Sequence, residues 1–263
     1  MQLAEERRQH IVDAVERQGK VLAAELAQQF QTSEDTIRRD LRDLDAAGLL
    51  RRVHGGAMRR TRAEPSFGQR MDVDAARKTM LAQALADSVR PGDTVLVDAG
   101  TTNLAFARLL EDGRAAAIIT NSPSIVLALD HLRTTRVVLL GGVYAAHAGA
   151  VLGAHTVAEI ARLRVNLAVI GVCSVEADRG LGASDAEEAQ LKRAMLAAAS
   201  RRVVAALNER LEAPGPFLIA PLGEIDQLVL EADAAPELLA RLREGERAPE
   251  IKLAAAPALR SRS

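Results

Sequence analysis

The amino-acid sequence predicts a two-domain α/β chain, a small helical N-terminal domain followed by a larger domain built on a mostly parallel sheet. Three observations carry this expectation. Helical apolar spacing recurs three times before residue 48, and from Thr94 onward short apolar runs alternate with helical stretches. Between the two regions, Arg59-Arg60-Thr61-Arg62-Ala63-Glu64-Pro65-Ser66 has no apolar period and contains a proline that disfavours helix at Glu64. A length of 263 residues can hold one large domain or a small one plus a medium one, and the break at this stretch favours the second.

The elements follow in order. Arg8 to Arg17 carries Ile11, Val12 and Val15 at helical spacing, and Gly19 ends it. Leu22 to Phe30 offers a second short period through Leu26 and Phe30, and Gln31, Thr32 and Ser33 form a turn. The third helix is the most informative stretch. Ile37, Leu41 and Leu44 lie at i, i+4 and i+7, so they make one apolar stripe while Asp35, Arg39, Arg42 and Asp43 point away from it. Ser33 is a good N-cap, Glu34 and Asp35 suit the positive end of the helix dipole, and Gly48 is the matching stop. Gly48-Leu49-Leu50 and Arg51-Arg52-Val53-His54-Gly55-Gly56-Ala57 then read as a basic β-wing.

Helix, helix, three-residue turn, helix and wing make a winged helix-turn-helix, the arrangement that presents a third helix to a DNA major groove. Three arginines on a helix are also what an ordinary solvated face carries. The two preceding helices and the wing favour duplex DNA as the partner, with Arg38, Arg39 and Arg42 as contact residues and Ser33 and Thr36 near phosphate or base edges. Arg51, Arg52 and His54 would approach phosphates from the wing.

Charge is local rather than global. The formal net charge is -1, yet from Arg38 to Arg62 eight arginines face three aspartates, a surplus of five where DNA would lie. Aromatic residues make up 2% of the chain and tryptophan is absent, against the stacking platforms used for single strands. The single cysteine, Cys173, lies in the apolar run Leu167 to Val175, which excludes an internal disulfide framework and a cysteine-rich zinc site. The five histidines show no close metal-ligand spacing, so neither metal nor cofactor is expected. The N-terminus is charged from Glu5 to Arg8 and no apolar run approaches membrane length, giving a cytoplasmic expectation without a membrane partner.

In the larger domain the expected strands are Thr94 to Val97, Ala117 to Thr120, Arg136 to Leu140, Leu167 to Gly171, Val203 to Leu207 and Gln227 to Leu230. Helices are expected at Ala75 to Val89, Asn103 to Leu110, Ser124 to Leu129, Thr156 to Leu163, Asp185 to Ala199 and Ala235 to Arg243. Such alternation indicates a sheet covered on both faces, whose ligands collect at the carboxyl ends of the strands.

Three loops there are polar or glycine-rich. Asp98-Ala99-Gly100-Thr101-Thr102 supplies hydroxyls, a flexible glycine and backbone N–H groups at a helix start, which suits a phosphate; it also fits a tight turn with threonine as N-cap. Thr120-Asn121-Ser122 and Gly141-Gly142 add to it, Asn121 as a hydrogen-bonding group for sugar hydroxyls and the glycines as points where a ligand could approach backbone. Lys192 follows Glu188 by four residues, which on its own describes a surface ion pair.

These residues resemble a known family. Arg8, Ile11, Gly19, Val21, Glu25-Leu26-Ala27, Phe30, Ser33, Thr36-Ile37-Arg38-Arg39-Asp40-Leu41, Leu44, Gly48-Leu49, Arg52 and His54-Gly55-Gly56-Ala57 closely resemble the N-terminal domain of DeoR-family bacterial transcription regulators. The resemblance continues to about residue 206, where the family carries a sugar-phosphate-sensing domain similar in fold to ribose-5-phosphate isomerase. It implies that Asp98 to Thr102, Thr120-Asn121, Leu140-Gly141-Gly142 and Glu188 to Lys192 ring the effector pocket. Thr101 and Thr102 would take phosphate and Lys192 would supply charge. Arg70 and Lys78 match family positions and are expected to tie the hinge to the sensor domain.

One departure stands out. Where the family has an Asp followed by a Ser and a Lys, this chain has Leu207-Asn208-Glu209-Arg210-Leu211. Arg210 offers a forked positive charge in place of the lysine, and the aspartate is replaced by Leu207 or Asn208 depending on the alignment. The expected layout is a DNA-binding domain over 1–57, a hinge over 58–74, an effector-sensing domain over 75–253 and a disordered tail over 254–263. The expected function is a sequence-specific, homo-oligomeric (dimer or tetramer) repressor of carbohydrate-metabolism genes, released from double-stranded operator DNA by a phosphorylated sugar or related metabolite. The alternatives are an activator of the same family, a sugar-phosphate isomerase-like enzyme using Asp98, Glu188 and Lys192, and an architectural DNA-binding protein without a ligand.

Overall fold

The computed structural model describes residues 4–18, 20–47, 49–53, 55–58, 65–245 and 247–255. Gly19, Gly48, His54, residues 59–64 of the expected hinge and residues 256–263 of the expected tail lie outside the described residues. The chain divides into two compact units, Met1–Glu64 and Pro65–Ser263.

The first unit runs α1 (Ala4–Gln18), β1 (Lys20–Leu22), α2 (Ala23–Gln29), α3 (Glu34–Ala46), β2 (Arg51–Val53) and β3 (Gly56–Met58). Ile11 and Val15 from α1, Leu26 from α2 and Ile37, Leu41 and Leu44 from α3 meet in one core closed by Val21, Leu50 and Ala57. Each such side chain contributes about 1.5–3 kcal/mol on burial, so the i, i+4, i+7 stripe fixes the rotation of α3. The three strands pair antiparallel in the order β1-β3-β2. The glycine pair at the wing has a steric reason: Gly55 sits at φ +82, and a Cβ on Gly56 would fall 2.0 Å from the Val21 carbonyl oxygen.

The second unit begins with α4 (Phe67–Arg70) and α5 (Ala75–Ala86), then β4 (Thr94–Val97), α6 (Thr101–Arg108), β5 (Ala117–Thr120), α7 (Pro123–Ala128) and β6 (Arg136–Leu139). A hairpin of β7 (Val143–Ala145) and β8 (Ala150–Leu152) leads to α8 (Ala154–Ile160), β9 (Val165–Ile170), β10 (Ser174–Glu176) and β11 (Gly180–Ala183). It ends with α9 (Ala186–Ala198), β12 (Ala199–Ala206), β13 (Phe217–Ala220), β14 (Gln227–Leu230), α10 (Pro236–Leu242) and β15 (Glu250–Leu253).

Seven of these strands form one sheet in the order β15-β14-β12-β9-β4-β5-β6, every neighbouring pair parallel. Alternate residues along each strand feed opposite faces, which is the period-2 rule acting on apolar runs. Val95, Val97, Leu167, Val169 and Val229 pack with Leu81, Phe106 and Ile125 on one side. Leu96, Ala168, Ile170, Leu228 and Leu230 pack with Ile160, Leu191, Met195 and Leu242 on the other.

The sheet order contains the topological information that matters for function. The chain steps outward from β4 through β5 to β6, then returns to place β9 on the other side of β4 and steps outward again through β12, β14 and β15. The direction of winding reverses between β4 and β9, and in open α/β sheets a crevice forms outside the carboxyl ends at that point.

Several elements differ from the sequence expectation. The stretch expected as hinge contains the helix α4, whose first residue Phe67 is buried, and Met58 pairs with Lys20 and Arg51 in the wing. The hairpin β7–β8, the small antiparallel sheet β10-β11-β13 and the edge strand β15 are additional. They are runs of three or four residues without clear alternation, too short to carry a periodic signal.

Candidate DNA interface and effector site

At the start of α3 the Thr36 backbone N–H donates to Ser33 Oγ at 3.2 Å, so Ser33 serves as N-cap. The two hydroxyls lie 2.9 Å apart at the entrance of the helix. On the outer face, Arg38 is held by Glu34 at 2.8 Å, an i, i+4 pair within its own helix. Arg39 and Arg42 are exposed and have no carboxylate partner among the described residues. They lie three residues apart, on neighbouring positions of one face. Arg52 is exposed on β2, its Cα opposite Ala57 of β3. His54 lies outside the described residues, as does the side chain of Arg51.

The structure adds a residue that the apolar stripe conceals. Asp40 is 3% exposed, and its two carboxylate oxygens accept from Arg7 Nε at 2.7 Å and Arg8 Nε at 3.0 Å. Arg8 also reaches Asp43. A charged bridge therefore clamps α1 to the buried side of α3, the helix whose exposed face carries Arg39 and Arg42. An aspartate one position from the stripe at Leu41 was the available signal; its partners, more than thirty residues earlier, were not.

In the second unit the residues expected to bind effector gather at the carboxyl ends of β12, β9, β4, β5 and β6. Asp98 follows β4 and is 1% exposed. Its Oδ2 accepts from the Gly171 N–H at 3.0 Å, joining the ends of β4 and β9 across the switch point. The same oxygen accepts from Lys192 Nζ at 2.5 Å, while Glu188 lies 3.5 Å from that ammonium. Burial works against the charged lysine, but the two carboxylates outweigh it and hold its pKa above the ordinary lysine value. Lys192 is thus a buried counter-charge with one ammonium between two carboxylates, and the bland surface-pair reading does not describe it.

The remaining residues sort by depth. Thr101 and Thr102 are half-buried in the first turn of α6, with Gly100 as its N-cap at φ +145. Thr120 and Asn121 are fully buried. Asn121 Oδ1 accepts from the Ala99 N–H at 3.0 Å and its Nδ2 donates to the Val151 carbonyl at 3.4 Å, so the amide braces the loop before α6 from below. Gly141 and Gly142 are exposed, but the demand for glycine is internal: a Cβ on Gly142, at φ +145, would lie 2.3 Å from Thr156 Oγ1. Thr156 Oγ1 in turn donates to the Gly141 carbonyl at 2.8 Å. Arg210 is half-buried and donates to the Cys173 carbonyl at 3.4 Å, which brings it to the end of β9.

Sequence reasoning missed Asn103, whose Nδ2 donates to the Asp98 carbonyl at 2.9 Å and fixes the same loop. It also missed Arg77, which pairs with Glu231 at 2.6 Å and with Glu209 next to Arg210; these two partners raise the guanidinium pKa further. Lys78 donates to the carbonyls of Arg70 at 2.6 Å and Val73 at 2.5 Å, tying the residues after α4 to α5. Burial lowers its pKa, and Arg70 and Arg210 add to that effect against Asp74. A separate cleft of about 370 Å³, lined by Asp178, Arg179, Leu222, Glu244 and Arg247 among others, shares no residue with the strand ends. Among the described residues no group of three or more His, Cys, Asp or Glu could hold a metal ion, and no helix is long and apolar enough to cross a membrane.

A winged helix-turn-helix with two exposed arginines on its third helix, joined to a parallel sheet with a polar cluster at its switch point, defines a DNA-binding regulator with a sensor domain. Comparison with known proteins agrees. Residues 7–63 match the DeoR-like helix-turn-helix domain and residues 73–232 match the DeoR C terminal sensor domain. The chain belongs to the DeoR family of transcription regulators. An L-fucose operon activator from Haemophilus influenzae is 32% identical over 220 residues, covering 83% of this chain and 88% of that protein. The glycerol-3-phosphate regulon repressor of Escherichia coli is 30% identical over 192 residues, covering 73% and 76%. Among solved structures, a probable sor operon regulator from Shigella flexneri overlaps 64% of this chain and 89% of its own at 14% identity and TM-score 0.44. A ribose 5-phosphate isomerase A from Neisseria gonorrhoeae overlaps 54% and 56% at 13% identity and TM-score 0.39.

Proposed function

We propose that the protein represses carbohydrate-metabolism genes and leaves its operator when a phosphorylated sugar or related metabolite occupies the strand ends of the sensor domain. The observation that supports this most is the meeting of the Asp98 loop, the first turn of α6 and Arg210 at the switch point between β4 and β9. Free backbone N–H groups at a helix start with two flanking hydroxyls suit a phosphate. Lys192, already neutralised by Asp98 and Glu188, organises that loop from beneath, and Arg210, half-buried with a bond to the Cys173 carbonyl, is the cation this reading assigns to an anionic ligand.

Regulation is a matter of linkage. Two copies present their α3 helices to successive major grooves, about one helical turn or a multiple apart, and an effector weakens operator binding by its differential affinity for the two arrangements. Repression requires only that DNA be occupied, without a contact to the transcription machinery. Deleting the gene should raise expression from promoters carrying its operator; a fall would assign it the activating role of the Haemophilus relative. The effector class is tested by thermal shift against pentose, hexose and glycerol phosphates. A rise in Tm that Thr101→Val with Thr102→Val abolishes supports the phosphate site; no shift with any of them would refute it.

The DNA contacts divide by role. Arg39→Ala or Arg42→Ala should erode discrimination by roughly 1–3 kcal/mol at one base pair. Arg52→Ala should weaken all sequences alike and lower the salt slope by about one unit. Titrations of operator and random duplex at several salt concentrations would refute these roles if the pattern were reversed.

A further inference from the structure

The loop that would hold the effector is connected to the first residues of the sensor domain through a short, almost wholly buried path. Asn121 holds the Ala99 N–H with Oδ1 at 3.0 Å, and the Asn121 backbone carbonyl accepts from the Val151 N–H of β8 at 2.7 Å. The neighbouring Ser122 Oγ donates to the Gly149 carbonyl at 3.1 Å. These bonds place the β7–β8 hairpin and the loop before α6 on one brace. Asn121 and Ser122 are fully buried, so a bond broken there leaves a polar group without water to satisfy it, and the two loops must shift together.

The hairpin in turn carries Phe67. Its N–H donates to the His147 carbonyl at 2.8 Å, and its ring lies so close to Gly149 that a Cβ there would be 2.3 Å from Phe67 Cγ. Phe67 is 4% exposed and opens α4, a helix stiffened by a capping box between Ser66 and Gln69. At its other end the segment is fixed by Lys78, which holds the Arg70 and Val73 carbonyls. The polypeptide entering from the DNA-binding unit therefore leaves from a rigid piece mounted at two points, one of them on the effector loop's own brace.

We propose that Ser66–Val73 is a lever: rearrangement of the Asp98–Thr102 loop is transmitted through Asn121, Ser122 and Gly149 to Phe67 and so to the chain leading to the DNA-binding unit. This rests on the sensing role proposed above for that loop. Close packing makes the transmission steep, because a ring seated against a glycine has no slack to absorb a displacement of the hairpin. Phe67 and Ser122 are positioning residues, expected to govern the coupling between the two bindings rather than either binding alone.

The test uses the full-length protein, its own upstream intergenic duplex, and glycerol 3-phosphate, fructose 1-phosphate, ribose 5-phosphate and inorganic phosphate as probes. In the wild type, a compound that raises Tm should weaken duplex binding by a factor within about 5–150. In Phe67→Leu and in Ser122→Ala, the same compound should still raise Tm and the duplex should still bind, while the factor falls toward one. An unchanged factor in both variants would overturn the lever. Wild type that responds to none of the probes in either assay overturns the sensing role itself, which separates the two failures. The wild type also gives a readout independent of any variant's folding: with fluorophenylalanine at its four phenylalanine positions, the Phe67 ¹⁹F resonance should move when a Tm-raising probe is added. A resonance that stays in place at saturation contradicts the lever.

Discussion

Replacing Lys192 by methionine should destabilise the sensor domain by about 3–5 kcal/mol, the range found when one member of a buried ion pair is removed. Lys192 and Asp98 side chains are 5% and 2% exposed, so the methionine would leave the Asp98 carboxylate charged, dry and held only by the Gly171 N–H. Glu188, at 15% side-chain exposure, can turn toward water; Asp98 cannot. In a domain of this size the expected fall in Tm is roughly 6–20 °C. The double variant Lys192→Met with Asp98→Asn should recover most of the loss, because the amide keeps an acceptor for Gly171 without the charge. Chemical denaturation of the three proteins decides it: a single variant within about 0.5 kcal/mol of wild type would show that the ion pair does not hold the strand ends together.

The second large effect is expected from Asp40→Ala in the DNA-binding unit, at about 3 kcal/mol, the low end of the same range. Arg7 and Arg8 retain 14% and 34% side-chain exposure, so their charges regain some water once the carboxylate is gone. The consequence reaches function because the bridge sets how α3 sits on α1. Operator affinity should fall even though Asp40 is buried away from the face that carries Arg39 and Arg42. Asp40→Asn, which keeps acceptor capacity for one guanidinium, should lie between wild type and alanine. Equal operator affinity in all three proteins would sever the proposed link between the bridge and the orientation of the recognition helix.

Most of the architecture was legible because it is written in local periodicity. The stripe Ile37, Leu41 and Leu44, the cap at Ser33 and the apolar runs that became β4, β5, β9, β12 and β14 each declare themselves within one element. Sheet order is different in kind. That β9 returns beside β4 is a long-range pairing which no local pattern encodes, and it is this pairing that makes the Asp98 loop a switch-point loop. The site shows the same division. The polar loops were readable by composition, but their depth was not: Asn121 and Lys192 look like ligand groups in sequence and sit beneath the surface as braces, because their partners Ala99, Val151 and Asp98 come from distant elements. Gly142 looked like an opening for a ligand and is required by Thr156. Asp40, which the apolar stripe leaves out, is buried under two arginines of α1.

The central claim is that this chain binds a specific duplex through α3 and the wing, and that a sugar phosphate bound in the second unit releases it. The most direct measurement is fluorescence anisotropy of the purified protein against a labelled duplex of its own upstream intergenic DNA, at two salt concentrations, with and without the panel of sugar phosphates. The account predicts tight binding that exceeds binding to random duplex, weakens as salt rises, and is reversed by at least one phosphorylated compound. Equal affinity for random duplex, or operator binding that no member of the panel alters, would contradict it.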